Sequence, residues 1–343
     1  MWCVIAKDGS VRSLIRSICS QNPRKGVQVG FEKESAIVRG SSNQPGYAIA
    51  HQHNDNARAH MRAVVLVGHG SLRPGAGAAM ICLAECAQAA GIAPIVAAGF
   101  LNYSRPTFGE VLARCVEGGA SEVIIQPYFL VPGKFVRDDL AWLAEAGRLA
   151  HRGLSIRVAQ PFGDHPALAQ LLIKRALEAD YQAAHPHIID QRLLWPLEDG
   201  TGWRPLHRRH RTGLLIMAHG SPRPQSNAPI YGIAKRVRAM GQYAAVTVCF
   251  MDLNKPSILG TIDRMAARGI SHMIATPYFL QLGNHVKDDL PEIIGVARAR
   301  HPASTILLTE HLAYDRLLVS VIADRVGEAL SAAHATDLPA PRA

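Results

Sequence analysis

The sequence predicts an α/β protein of two tandem doubly wound domains, each built on a four-stranded parallel sheet. Three observations predict it. The chain has 343 residues, which suits two domains of ordinary size. Two segments match without a gap at a constant offset. VLVGHGSLRP (65–74) lies over LIMAHGSPRP (215–224), and IIQPYFLVPGKFVRDDL (124–140) lies over IATPYFLQLGNHVKDDL (274–290). Between them Phe100 falls over Phe250, Pro106 over Pro256 and Gly119 over Gly269. Short continuous apolar runs then alternate with helical stretches, the pattern of a parallel sheet covered on both faces.

Residues 1–60 come first. They are polar and aperiodic after Gln21, and they lack the clean apolar core of a signal peptide. Met61 opens MRAVVLVGHGS, which reads as a natural start, so 1–60 is expected to be a disordered leader or an over-extended start. The first repeat is expected over 61–184. Its strands are predicted at Val64–Val67, Ile95–Ala98, Glu122–Gln126 and Ser155–Ala159, and its helices at Ala76–Ala90, Arg105–Glu117, Val136–Ala150 and Pro166–Ala183. Residues 185–212 break the pattern with prolines, four histidines and the basic run His207–Arg211, so they read as a linker. His185, His187, His207 and His210 are more simply solvated than metal-bound. The second repeat is expected over 213–330. Its strands fall near Leu214–Ala218, Val246–Phe250, His272–Thr276 and Thr305–Leu308, and its helices near Gln225–Met240, Pro256–Ala267, Val286–Ala299 and Asp315–Leu330. Residues 331–343 read as a frayed tail.

Bulk properties narrow the function. With 48% hydrophobic and 19% charged residues the chain is globular. Its net charge of +10 favours an anionic partner. No helix-turn-helix, zinc-finger or aromatic RNA-binding motif occurs, which argues against nucleic acid and leaves a small polycarboxylate. No run approaches the ~18 apolar residues of a membrane span. Six cysteines form no Cys-x-x-Cys pair, and Cys82 and Cys86 read as inert thiols, so a reducing cytoplasm is expected.

Ligands of an open α/β sheet sit beyond the carboxyl ends of its strands. Three polar residues of the second repeat fall there: His219 after the first strand, Asp252 after the second and His285 after the third. Two imidazoles and a carboxylate suit a divalent transition metal with open positions. The matching residues of the first repeat are His69, Asn102 and Phe135, so only one imidazole is kept there. Either histidine alone would read as a capping or core residue; the three together favour metal binding or proton transfer. His-Gly-Ser-x-Arg-Pro occurs twice, at His69–Pro74 and His219–Pro224. Its glycine allows a close turn past a ligand. Ser71 and Ser221 can donate hydrogen bonds, and the helix that follows favours negative charge. Arg73 and Arg223 could fork onto carboxylates or form surface ion pairs. Lys287 and Lys134 could add positive charge. Asp138, Asp139, Asp288 and Asp289 read first as helix-dipole partners. No Gly-x-Gly-x-x-Gly fingerprint, Walker A loop or Gly-x-Ser-x-Gly elbow is present.

His-Gly-Ser-x-x-Pro, the Phe250-Met-Asp252 segment ending in Pro256-Ser257, and Pro277-x-Phe-Leu-x-x-Gly-x-His285-Val-x-x-Asp289 resemble the sirohydrochlorin chelatases of the CbiX type. The likeness covers about residues 62–330 apart from the linker. It implies a duplicated chelatase-like fold that inserts Co2+ into a sirohydrochlorin-type tetrapyrrole without ATP, in cobalamin synthesis. Insertion of Fe2+ for siroheme is the first alternative and a non-catalytic metal-binding protein the second. The resemblance makes His219 and His285 the paired histidines and Asp252 the acidic position, usually glutamate. The three are then both catalytic and metal-binding. Ser221, Arg223, Lys287, His69, Ser71 and Arg73 are expected to bind the macrocycle between the halves. The expected partners are the tetrapyrrole and the metal alone, with no resident cofactor, nucleic acid or membrane. One chain carrying both halves is expected to be a monomer with an internal pseudo-dimer.

Overall fold

The computed structural model describes residues 61–73, 75–133, 135–187 and 211–336. The expectations for 1–60, Lys134, His207, His210 and 337–343 lie outside them. The described residues fall in one compact unit. The first repeat runs β1 (Arg62–Gly68), α1 (Ala78–Ala89), β2 (Ile95–Phe100), α2 (Phe108–Glu117), β3 (Glu122–Pro127), α3 (Leu140–Ala150), β4 (Ser155–Val158) and α4 (Pro166–Ala184). The second runs β5 (Thr212–Ala218), α5 (Ala228–Ala239), β6 (Ala245–Phe250), α6 (Ile258–Ala267), β7 (His272–Pro277), α7 (Leu290–Arg300), β8 (Thr305–Leu308) and α8 (Leu317–Thr336). The last helix thus continues past Ser331, where a tail was expected.

Both sheets are wholly parallel, in the orders β2-β1-β3-β4 and β6-β5-β7-β8. The register is the same in each: Val65 lies beside Ala97 and Ile125, and Leu215 beside Thr247 and Ala275. Strand pleating sends alternate residues to opposite faces. Val64 and Leu66, with Leu214 and Ile216, face one core that both repeats share through α1, α4, α5 and α8. Val65 and Val67 face a separate cluster under α2 and α3, and Leu215 and Met217 face another under α6 and α7. The repeats are therefore joined by a common interior, with α4 packed on α5 and α8.

A pseudo-two-fold axis relates the contacts across this interior, as in a symmetric dimer. Arg175 of α4 donates to the carbonyls of His311, Leu312 and Tyr314 at 3.0–3.3 Å, and its counterpart Arg325 of α8 donates to that of Phe162 at 2.9 Å. Lys174 pairs with Asp315 at 2.7 Å, whose carboxylate also accepts from the Leu317 N–H. In the matching contact Asp324 lies 2.8 Å from His165, whose Nδ1 accepts from the Ala167 N–H.

Helix starts differ from the sequence expectation in two ways. Helices expected from Arg105 and Pro256 begin after Thr107 and Ser257, which cap them. Thr107 Oγ1 accepts from the Glu110 N–H while the Glu110 carboxylate accepts from the Thr107 N–H, a capping box. Helices expected from Val136 and Val286 are entered through π-helical turns at Phe135–Asp139 and His285–Asp289. Such turns recur at functional sites.

Candidate active site

The strand order puts a change of winding direction between β1 and β3, and between β5 and β7, where ligands of open sheets bind. His69 and His219 leave the carboxyl ends of β1 and β5 at these points. Both line one open cleft of about 260 Å3 between the repeats, with Tyr128, Leu130, Tyr278 and Leu280 among its walls. That is below the ~300–1,000 Å3 of enclosed ligand pockets, so a large planar ligand would lie partly outside it. Burial pushes the Tyr128 and Tyr278 phenols well above the usual tyrosine range, which keeps them neutral donors. Tyr128 donates to the Leu280 carbonyl of the other repeat at 3.3 Å and so braces the cleft.

His219 and His285 come together. Their ring centroids lie 4.8 Å apart at an interplanar angle of 62°. His285 occupies the first position of the π turn, and its Nδ1–H donates to Asp289 Oδ2 at 2.6 Å. That bond fixes the ring and leaves Nε2 with its lone pair for a metal or a proton. His219 Nδ1 sits 3.4 Å from the Gly220 carbonyl, so its Nε2 has the same capacity.

Asp252 does not complete a preassembled trio. It is exposed in the loop after β6, and no group of three His, Cys, Asp or Glu able to hold a metal occurs among the described residues. The physical reason is the sheet order: β6 is an edge strand, on the side of β5 away from the β7 loop that carries His285. Asp289, read from sequence as a helix-dipole residue, is the carboxylate that meets the site. Its signal was available in the four-residue spacing from His285, which places two helical side chains on one face.

The anion-binding expectations divide. Arg73 crosses between repeats to Asp288 at 3.2 Å, the ion-pair alternative, while its Nη1 is buried with no partner among the described residues. Arg223 and Lys287 are exposed. Ser71 and Ser221 each accept, through Oγ, from the N–H of Arg73 and Arg223, which leaves each hydroxyl hydrogen for another acceptor. The glycines serve the loop rather than a ligand. At φ +86 and +93, a Cβ on Gly70 or Gly220 would strike the Asn102 carbonyl or the Asn254 side chain. His69 stacks on Tyr103 with centroids 5.8 Å apart.

The family model described as CbiX matches residues 63–179 and again 213–329. The chain belongs to the CbiX family. Among curated relatives of this CbiX protein, a sirohydrochlorin cobaltochelatase of Priestia megaterium is 23% identical over 79% of this chain and 81% of its own length. A sirohydrochlorin ferrochelatase of the same organism is 21% identical over 79% and 92%. A shorter cobaltochelatase of Methanothermobacter thermautotrophicus is 33% identical over 36% of this chain and 96% of its own length. Among solved structures, SirB from Bacillus subtilis with Fe3+ shares the duplicated fold, at TM-score 0.65 and 17% identity over 80% of this chain and 98% of that one.

Proposed function

We propose that this CbiX protein is a sirohydrochlorin chelatase that inserts a divalent metal, Co2+ first and Fe2+ second, into the macrocycle without ATP. The observation that carries the reading is the contact of His285 with His219, which lines the cleft. The names of the two long relatives support both metals, and ligand type alone does not separate them. The reaction must remove two pyrrole N–H protons while the hydrated ion sheds water. Neutral imidazoles can bind the ion through Nε2 and take up protons near neutral pH. Asp289 holds His285 in the useful tautomer. Asp252, exposed on the neighbouring loop, attracts the incoming cation. The carboxylates of the macrocycle meet Arg223 and Lys287, with the Ser71 and Ser221 hydroxyls as further donors. Metal and tetrapyrrole are the substrates, and no resident cofactor enters the scheme. The internal pseudo-two-fold stands in for a dimer, so the working form is a monomer. The proposed compartment is the cytoplasm, and no helix among the described residues is long and apolar enough to cross a membrane.

Purified protein mixed with sirohydrochlorin and Co2+ or Fe2+ is expected to shift the macrocycle absorbance faster than the protein-free control. His219→Ala and His285→Ala should lose that acceleration while keeping the wild-type circular dichroism. Full activity in either variant would refute the assignment.

A further inference from the structure

We propose that Tyr103 is the stacking platform that receives one face of the macrocycle and sets its affinity; this rests on the chelatase reading above. Tyr103 is 65% exposed, yet it is a large aromatic in an unfavourable backbone state. Its φ is +59, and the Ser104 N–H donates to the Asn102 carbonyl at 2.6 Å across it, a tight γ-turn. Among described non-glycine residues only Tyr103 and Ala313 have positive φ. A bulky side chain there costs stability, and such strain gathers at ligand clamps.

The turn aims the phenol ring at the site. It stacks on His69, which lines the cleft, at an interplanar angle of 28°. The other repeat has Leu253 at the matching position. The two walls therefore differ in chemistry: one carries the His219–His285 pair, the other an aromatic plane. Leu72, 81% exposed, follows β1, and Leu253, 48% exposed, follows β6. A conjugated planar ring stacks on an aromatic face with more affinity than burial alone supplies.

Two measurements test this on the intact chain. Absorbance titration gives the Kd for sirohydrochlorin without metal, and steady-state insertion gives KM separately for macrocycle and Co2+. Tyr103→Phe should match wild type in all of these. Tyr103→Ala should weaken macrocycle Kd and KM by about ten-fold, the scale of one aromatic stack, with the Co2+ KM and kcat within about two-fold. Tyr103→Gly should bind as weakly as Tyr103→Ala and melt at a higher temperature than wild type, because glycine accepts the turn. An unchanged macrocycle Kd in Tyr103→Ala would overturn the proposal. So would a loss shared equally by macrocycle and metal, which marks a fold effect, or a wild-type chain that does not bind the macrocycle. Wild-type binding without insertion would sink the chelatase reading and leave the Tyr103 platform standing on its Kd.

Discussion

His285 and Phe135 occupy the same place in the two repeats, so only the second repeat carries the histidine pair of the proposed site. The Asp-Asp pair that follows is present in both, at Asp138-Asp139 and Asp288-Asp289. A feature that also occurs beside a phenylalanine reads as a helix-dipole device, and this hid the second role of Asp289. Its bond to His285 makes it a positioning residue. Asp289→Asn is expected to lower kcat for insertion by about 10–100-fold, the usual effect of losing a partner behind a metal-binding histidine. Asp289→Asn introduced into His285→Ala should add little further loss, since both changes act through one ring. Additive losses in the double variant would show that Asp289 acts elsewhere. The histidines were legible because His-Gly-Ser recurs in register. That Asp252 forms no metal-holding group with them among the described residues was not, because strand order lies outside what a repeat reveals.

Turns and caps set where each element begins. Apolar periodicity gave every strand and helix among the described residues, and missed the helix starts. Arg105-Pro106 and Lys255-Pro256 read as first-turn residues because proline suits a helix start, but Thr107 and Ser257 set the start later by bonding to the backbone themselves. Thr107→Ala should lower stability by about 1 kcal/mol, read as a lower urea midpoint with an unchanged slope. Glu110 adds an acid-sensitive part. The Thr107 backbone N–H, and then Arg105 and Arg114, hold its carboxyl below the ordinary 4.5. Its folded value is depressed, so its contribution is present above the unfolded value and is lost as pH falls through the folded one. Glu110→Gln should therefore unfold with less pH dependence than wild type below about pH 4.5. The π turn at His285–Asp289 was equally unreadable, since its sequence fits the first turn of an α-helix.

At the scale of the molecule, the shared interior makes the repeats one folding body. Urea unfolding followed by far-ultraviolet dichroism and by tryptophan emission should trace one coincident transition; two separated steps would contradict a common core. The guanidinium of Arg175 supports three carbonyls of the other repeat and that of Arg325 one. Arg175→Ala should cost roughly 2–3 kcal/mol and Arg325→Ala less, because charged hydrogen bonds to buried carbonyls are strong. The contacts at the helix caps also exchange their charges across the axis. Two copies of the second half would set Asp315 against Asp324, carboxylate facing carboxylate. Two copies of the first would set His165 against Lys174, both basic. Opposite partners meet only when unlike halves combine, so each half rejects its own kind and accepts its sister. The seam between the halves is thereby directional, fitted to one join within a single polypeptide.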